Sequence, residues 1–308
     1  MAKSLLYVIE EKRSGFSKGQ RRIADYILNH YEKAAYMTAS KLGNTVGVSE
    51  STVVRFAFEL GYDGYPHMQK QLQEMIKHKL TAVQRIEVAD EQLGDGEVLD
   101  KVLNLDIEKI RQTLEDTDRA AFGGAVDAIV SARKVYIQGA RSASTLGRFL
   151  SFYFQLILPD VCLIEATSIS EIFEQILRMN EQDVIIGISF PRYSTRTVSA
   201  LQYAKSQGSK VIAITDSADS PLAQTADYFL QARSDMASFV DSLVAPLSLI
   251  NALIVAVGLK KSEELKETFA RLERIWEEYD VYQKSDAGAV DSKSEKNKKE
   301  ANRKNDKK

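Results

Sequence analysis

The chain has 308 residues, one cysteine and a formal net charge of −2, so it is long enough for two domains with separate cores and cannot carry an intrachain disulfide framework. Charge is unevenly placed: residues 1–80 hold 12 Lys/Arg against 8 Asp/Glu, residues 284–308 hold 9 against 5, and the remainder is acidic at 20 against 30. A nucleic-acid partner is therefore permitted at the ends and disfavoured for the middle. The start, MAKSLLYVIEEKR, has too short an apolar run for an export signal, so a reducing cytoplasm is expected. The uncharged run 242–259 reaches membrane-span length, but Ser242, Pro246, Ser248 and Asn251 interrupt it. It is expected to be a buried helix, with no membrane partner.

Residues 1–80 read as helical throughout. Leu5, Leu6 and Ile9 share a face of a first helix, and Ser17 with Gln20 forms a capping box for a second. Thr38 then serves as the N-cap of a short helix with Leu42 and Val46 inward, followed by Gly47-Val48 and by Ser49 as the next N-cap. The helix it opens runs from about Glu50 to Leu60 and stops at Gly61. Two short helices across a glycine-containing turn are the geometry of a helix-turn-helix. Val53, Phe56, Ala57 and Leu60 fall on the inner face, leaving Ser51, Thr52, Arg55 and Glu59 outward. Thr38, Ser49, Ser51, Thr52 and Arg55 are thus the candidate DNA contacts; a plain helical hairpin with capped ends gives the same pattern. Tyr62 to Pro66 reads as a turn, and His67 to Leu80 as a polar helix. His30, His67 and His78 have no metal-ligand spacing, so neither a metal nor a cofactor is expected.

Residues 81–97 read as a linker broken by Gly94 and Gly96. Val98 to Glu115, with Val98, Val102, Leu105 and Leu114 among charges, reads as an amphipathic connecting helix, and Asp118 to Ala132 as another. Strand candidates follow at 135–139, 161–165, 184–189, 211–215 and 228–231. Helices fall between them at 145–158, 169–179 and 197–207, and a short one opens at Ser220-Pro221. Such alternation predicts a parallel sheet with helices on both faces. A long helix over 238–258 and an amphipathic one over 263–282 close the domain. The stretch from Lys284 has almost no apolar residues and cannot build a core.

Val184 to Ile188 is a near-continuous apolar run suited to a central strand, and the polar loop after it holds Ser189, Arg192, Ser194, Thr195 and Arg196 without a carboxylate or histidine. Hydroxyls and guanidinium groups at a strand's carboxyl end, opening a helix, suit a phosphate or carboxylate. An ordinary capped turn would look the same. With the loops Ala140–Ser144 and Asp216–Ser220, residues Ser142, Ser144, Ser189, Arg192, Ser194, Thr215 and Ser220 are expected to line one crevice. No loop carries a glycine-rich nucleotide motif.

VSESTVVRFAFELGYDGYPHMQKQL (48–72), ISFPRYSTRTV (188–198) and VIAITDSADSPLAQTADYFL (211–230) resemble the RpiR family of bacterial transcription regulators, a helix-turn-helix joined to a sugar isomerase (SIS) domain. The resemblance covers roughly residues 5–283. It implies a multi-domain chain. An all-α helix-turn-helix bundle occupies 1–80, a linker and connecting helix 81–117, and a three-layer α/β SIS domain with a five-stranded parallel sheet 118–283. A charged tail makes up 284–308. It further implies a homodimer or homotetramer that binds an operator in double-stranded DNA and senses a phosphorylated sugar. The family's third-strand loop resembles Ser-x-Ser-Gly-x-Thr; here Ser189 and Ser194 match its ends while Pro191-Arg192 replaces Ser-Gly. In the first loop Gly-x-Gly-x-Ser becomes Gly139-Ala140-Arg141-Ser142-Ala143. Candidate effector ligands are therefore Arg141, Ser142, Ser144, Ser189, Arg192, Ser194 and Thr195, with charge replacing lost hydroxyls. The rival reading is a sugar-phosphate isomerase on the same fold. It needs a general base, for which only Glu165 and Glu171 are placed, so no catalytic residue is expected.

Overall fold

The computed structural model describes residues 5–76, 83–84, 86, 97–234 and 240–282. His78, most of the expected linker over 81–97 (81–82, 85 and 87–96), the beginning of the long helix at Ser238 and the tail from Lys284 lie outside the described residues. The chain divides into two compact units, Met1–Lys260 and Lys261–Lys308.

The first unit opens with α1 (Leu5–Lys12), α2 (Lys18–Asn29), α3 (Tyr31–Ala34), α4 (Ala39–Val46), α5 (Glu50–Glu59) and α6 (Tyr65–Ile76). The capping box at α2 forms as the sequence predicts: Ser17 N–H donates to Gln20 Oε1 at 2.9 Å, and Gln20 N–H to Ser17 Oγ at 3.4 Å. Ile9, Ile23, Ile27, Leu42, Val53 and Phe56 are sealed into one core, in which Phe16 and Phe56 meet edge to face at 5.1 Å. Helix α6 begins at Tyr65, earlier than the expected turn allows, because Pro66 falls in the first turn, where no N–H is needed. Its start is latched to the corner before α4. Tyr65 Oη donates to the Met37 carbonyl at 2.7 Å, Gln69 to the same oxygen at 2.8 Å and Gln73 to that of Ala35 at 2.8 Å.

Next come α7 (Val98–Asp116), α8 (Arg119–Ser131), β1 (Val135–Gly139), α9 (Ser142–Ile157), β2 (Val161–Leu163), α10 (Ile169–Ile176), β3 (Val184–Ile188), α11 (Thr195–Ser206), β4 (Lys210–Thr215), β5 (Tyr228–Gln231) and α12 (Val244–Lys260). All five strands are parallel, in the order β2-β1-β3-β4-β5. The apolar run of β3 is central and wholly buried. One core, with Leu150, Phe154, Leu253 and Val257, covers one face of the sheet, and another, with Ile172, Ile176, Leu201 and Ala204, covers the other. That is the three-layer arrangement expected from strand and helix alternation. The helix expected at Ser220-Pro221 is only a series of turns. The chain has just six residues between Ser220 and Asp227, and Ser220 Oγ accepts from Ala223 N–H at 3.1 Å before β5 must begin.

Helix α7 departs most from its sequence pattern. Its inward positions are Val102, Asp106, Lys109, Thr113 and Thr117, whereas Val98, Leu105 and Leu114, expected on the apolar face, are exposed, together with Leu99, Leu103, Ile107 and Ile110. The polar side turns in because it meets polar groups between β5 and α12. Ser242 Oγ donates to Asp106 at 2.6 Å, Arg233 N–H to Thr113 Oγ1 at 2.9 Å, and the Arg233 guanidinium pairs with Asp116. Among the described residues, no single helix is long and apolar enough to cross a membrane. The second unit contributes α13 (Ser262–Glu278), which opens with Glu263 and Glu264 at its positive end and buries none of its residues.

Candidate nucleic-acid interface and effector site

The α4–α5 corner is set by glycine. Gly47 ends α4 with φ 70°, a left-handed conformation that costs a side chain strain, and Val48 N–H closes the turn on the Gly43 carbonyl at 2.9 Å. Thr38 caps α4 by accepting from Lys41 N–H at 3.1 Å. Ser49 stands at the N-cap of α5 but makes no capping bond. Its hydroxyl is drawn instead into a cluster with Ser51 Oγ at 2.9 Å and Thr52 Oγ1 at 2.8 Å. Thr38, Ser49, Ser51 and Arg55 are exposed and Thr52 half-buried, and Arg55 Nε donates to the Ser51 carbonyl at 3.2 Å. A hydroxyl cluster at the start of a helix followed by a guanidinium one turn on gives adaptable donors to phosphates and base edges. Phe58, exposed beside them, was not singled out by the inward-facing pattern.

In the α/β part the strand order reverses between β1 and β3, because the chain runs from β1 to β2 on one side and returns to β3 on the other. The loops leaving these two strands diverge at their carboxyl ends and leave a crevice. An open cavity of about 630 Å³ lies there, lined from β1 and α9 by Gln138, Arg141, Ser144 and Arg148, beyond β2 by Glu165, and from the β3–α11 loop by Arg192, Ser194, Thr195 and Arg196. A smaller neighbouring cavity of about 80 Å³ takes in Ser142 and Ser189 together with Arg141 and Arg192.

The sequence-predicted hydroxyls are largely engaged in shaping their own loops. Ser189 Oγ accepts from Ser194 N–H at 3.1 Å, Ser194 Oγ accepts from Thr197 N–H at 3.5 Å as the cap of α11, and Ser144 Oγ donates to the Arg141 carbonyl at 2.6 Å. Thr195 and Ser142 are exposed at the first turns of α11 and α9. Thr215 and Ser220 are buried and line neither cavity. Both helices begin earlier than expected, α9 at Ser142 and α11 at Thr195, which brings their free amides up to the crevice. A Cβ at Gly139 would lie 2.6 Å from the Ala143 carbonyl oxygen, so only glycine lets α9 start this close to β1. Arg141 and Arg192 both have positive φ, 56° and 63°, a conformation that costs a non-glycine residue about 1 to 3 kcal/mol.

The sequence pattern missed Gln138 and Arg148 as part of this site, and placed Arg196 in the anion-suited loop without counting it among the effector ligands. The available signal for Arg148 was its position seven residues after Arg141, two turns along one helix face. Arg148 pairs with Glu165 at 2.7 Å. Glu171, the other base candidate, accepts from Thr167 N–H at 2.7 Å and Thr167 Oγ1 at 2.9 Å; these bonds hold its carboxyl below the usual glutamate range.

Residues 3–79 match the helix-turn-helix domain of the rpiR family, and residues 128–256 match the SIS domain. The chain belongs to the RpiR family. This RpiR-type regulator is 24% identical over 266 residues to an uncharacterized HTH-type transcriptional regulator of Caldanaerobacter subterraneus, covering 85% of this chain and 93% of that one. It is 25% identical over 272 residues to another from Clostridium perfringens, covering 86% and 94%. Among solved structures, the sugar isomerase domain of an RpiR transcription factor from Sphaerobacter thermophilus matches with TM-score 0.56 and 27% identity, over 58% of this chain and 99% of that one. The Vibrio vulnificus NanR protein, solved in complex with ManNAc-6P, shares the fold with TM-score 0.55 at 20% identity, over 88% and 97%. The RpiR-type regulator therefore couples a helix-turn-helix to a SIS domain.

Proposed function

We propose that this regulator binds operator DNA through the outward face of α4 and α5, with Thr38, Ser49, Ser51, Thr52 and Arg55 as contacts, and that a phosphorylated sugar in the crevice between β1 and β3 modulates that binding. The observation that carries the proposal is the arrangement at the start of α11: Arg192, Ser194 and Thr195 converge with exposed helix amides at a switch point of the sheet. The sugar phosphate bound to NanR supports the ligand class. Ser142, Ser144 and Ser189 shape the loops around the phosphate, and Arg141 faces the crevice from the β1 side.

The domain reads an effector and does not isomerise it. Residues 97–282 contain no histidine, and Glu171, its oxygens occupied by Thr167 and its carboxyl held below the usual glutamate range by those bonds, is a weak general base. The exposed stripe Leu99, Leu103, Ile107, Ile110 and Leu114 on α7, spaced by three and four residues, supports a homodimer, which also suits paired operator half-sites in the cytoplasm.

The test is calorimetric titration of sugar phosphates against wild type and Arg192→Ala, with operator gel shifts in parallel. Loss of a charge-assisted contact worth about 1.5 to 3 kcal/mol should weaken effector binding by tens to hundreds of fold while ligand-free operator affinity is retained. Equal binding by both proteins would remove Arg192 from the site.

A further inference from the structure

The charge in the crevice exceeds what one phosphate needs. Four guanidinium groups line it, Arg141 and Arg148 from the β1–α9 side and Arg192 and Arg196 from the β3–α11 side, against the single carboxylate of Glu165. Glu165 is taken up by Arg148. The guanidinium groups of Arg141, Arg192 and Arg196 make no hydrogen bond or ion pair among the described residues. Like charges gathered around one cavity repel one another, more strongly as water is excluded. A phosphate monoester carries about −1.5 to −2 at neutral pH, which the pair on the β3–α11 side already balances. Within this cavity the pair on the β1–α9 side is then left with Glu165, the one further carboxylate nearby, Asp241, lining the smaller neighbouring cavity.

Two further observations point the same way. Arg141 holds its side chain at the crevice from a backbone conformation that glycine would adopt without strain, so its guanidinium is what the position supplies. Gln138 is 3% exposed, lines the cavity between the two basic walls, and its Oε1 has no hydrogen-bond partner. A buried acceptor of this kind is satisfied by a donor from the ligand, such as a sugar hydroxyl.

We propose that the effector is a doubly anionic sugar, with its phosphate held by Arg192 and Arg196 at the start of α11, a hydroxyl on Gln138, and a second anionic group, carboxylate or phosphate, held by Arg141 and Arg148. This rests on the crevice being the effector site.

The experiment is calorimetry on the full chain with two matched pairs: glucose 6-phosphate against 6-phosphogluconate, and fructose 6-phosphate against fructose 1,6-bisphosphate. The doubly anionic member of at least one pair should bind about tenfold or more tightly than its partner; the pair that responds tells carboxylate from phosphate as the second anion. Arg141→Ala should weaken the doubly anionic sugar about tenfold more than the singly anionic one, and Arg141→Gly, which accepts positive φ, should do the same with the backbone unstrained. If singly anionic sugars bind as tightly as their partners, or if the preference survives both variants, the second subsite does not exist while the sugar-phosphate reading stands. If none of the four sugars binds, both fall.

Discussion

Gly43 couples the stability of the helix-turn-helix to its aim. A Cβ added there would lie 2.8 Å from the Val48 carbonyl oxygen and 3.4 Å from the Glu50 amide nitrogen, both backbone atoms of the turn that launches α5. Replacing glycine by alanine inside a helix contributes about 0.8 to 1 kcal/mol of propensity, whereas forcing atoms into a packed site typically costs about 1 to 3 kcal/mol. Because the obstruction is backbone and not the free end of a side chain, the second effect wins, and Gly43→Ala should lose about 1 kcal/mol. In a helical bundle of this size that lowers the melting temperature by about 4 to 8 °C. The turn must also give by a few tenths of an ångström, which displaces Ser51 and Arg55, so operator affinity should fall about tenfold, the scale of one base contact. Sugar-phosphate affinity should be unchanged. Thermal melts, operator gel shifts and calorimetry on the same preparation check all three. An alanine variant that melts higher than wild type and binds operator equally well would show that the turn has slack and that propensity governs the position.

Tyr65→Phe removes the donor at 2.7 Å from the Met37 carbonyl but leaves Gln69 on that oxygen; urea denaturation should show a loss of about 1 kcal/mol, and an unchanged midpoint would make the latch ornamental. Burial works to raise the pKa of Asp227, but Lys205 at 2.6 Å and the Val211 N–H at 2.9 Å outweigh it and leave the group below the usual aspartate range. Its stabilisation is therefore complete above about pH 4, the unfolded value, and is lost as pH falls through the lower folded value. Asp227→Asn should flatten the acid limb of stability against pH, and an identical limb would contradict the assignment. Replacing both Leu103 and Ile110 by Glu on the outer face of α7 should convert a dimer to monomer in sedimentation, whereas a wild type already monomeric at micromolar concentration would dispose of that interface.

Apolar periodicity and punctuation were enough to read most of the fold. The β3 run, the Ser17–Gln20 box and the Gly47 corner are local devices whose meaning does not depend on distant partners. Helix α7 was misread because its inward face is polar and is satisfied by Arg233 and Ser242, more than 100 residues away in the chain, and no window of sequence reports such a partner. The site was legible to the same degree. Arg141, Arg192, Ser194 and Thr195 announce themselves in loops after strands, while Arg148 and Gln138 lie inside a helix and a strand, where a polar residue reads as ordinary surface or as an interruption. The roles of Ser144 and Ser189 differ from a simple count of hydroxyls because local backbone groups compete for them.

The inward side of α7 also bears on where this protein can be cut. The match to the SIS domain begins at residue 128, yet Asp106, Thr113 and Asp116 lie upstream of it and hold Ser242 and Arg233. A fragment trimmed to the recognisable module would keep the whole sheet and expose the α12 surface on which α7 packs, stripping partners from an arginine and a serine at the strand-to-helix passage after β5. The stretch recognisable as a SIS domain and the stretch that must travel together to fold are different lengths. A shortened protein that precipitates would be reporting the missing helix, not a weak sheet.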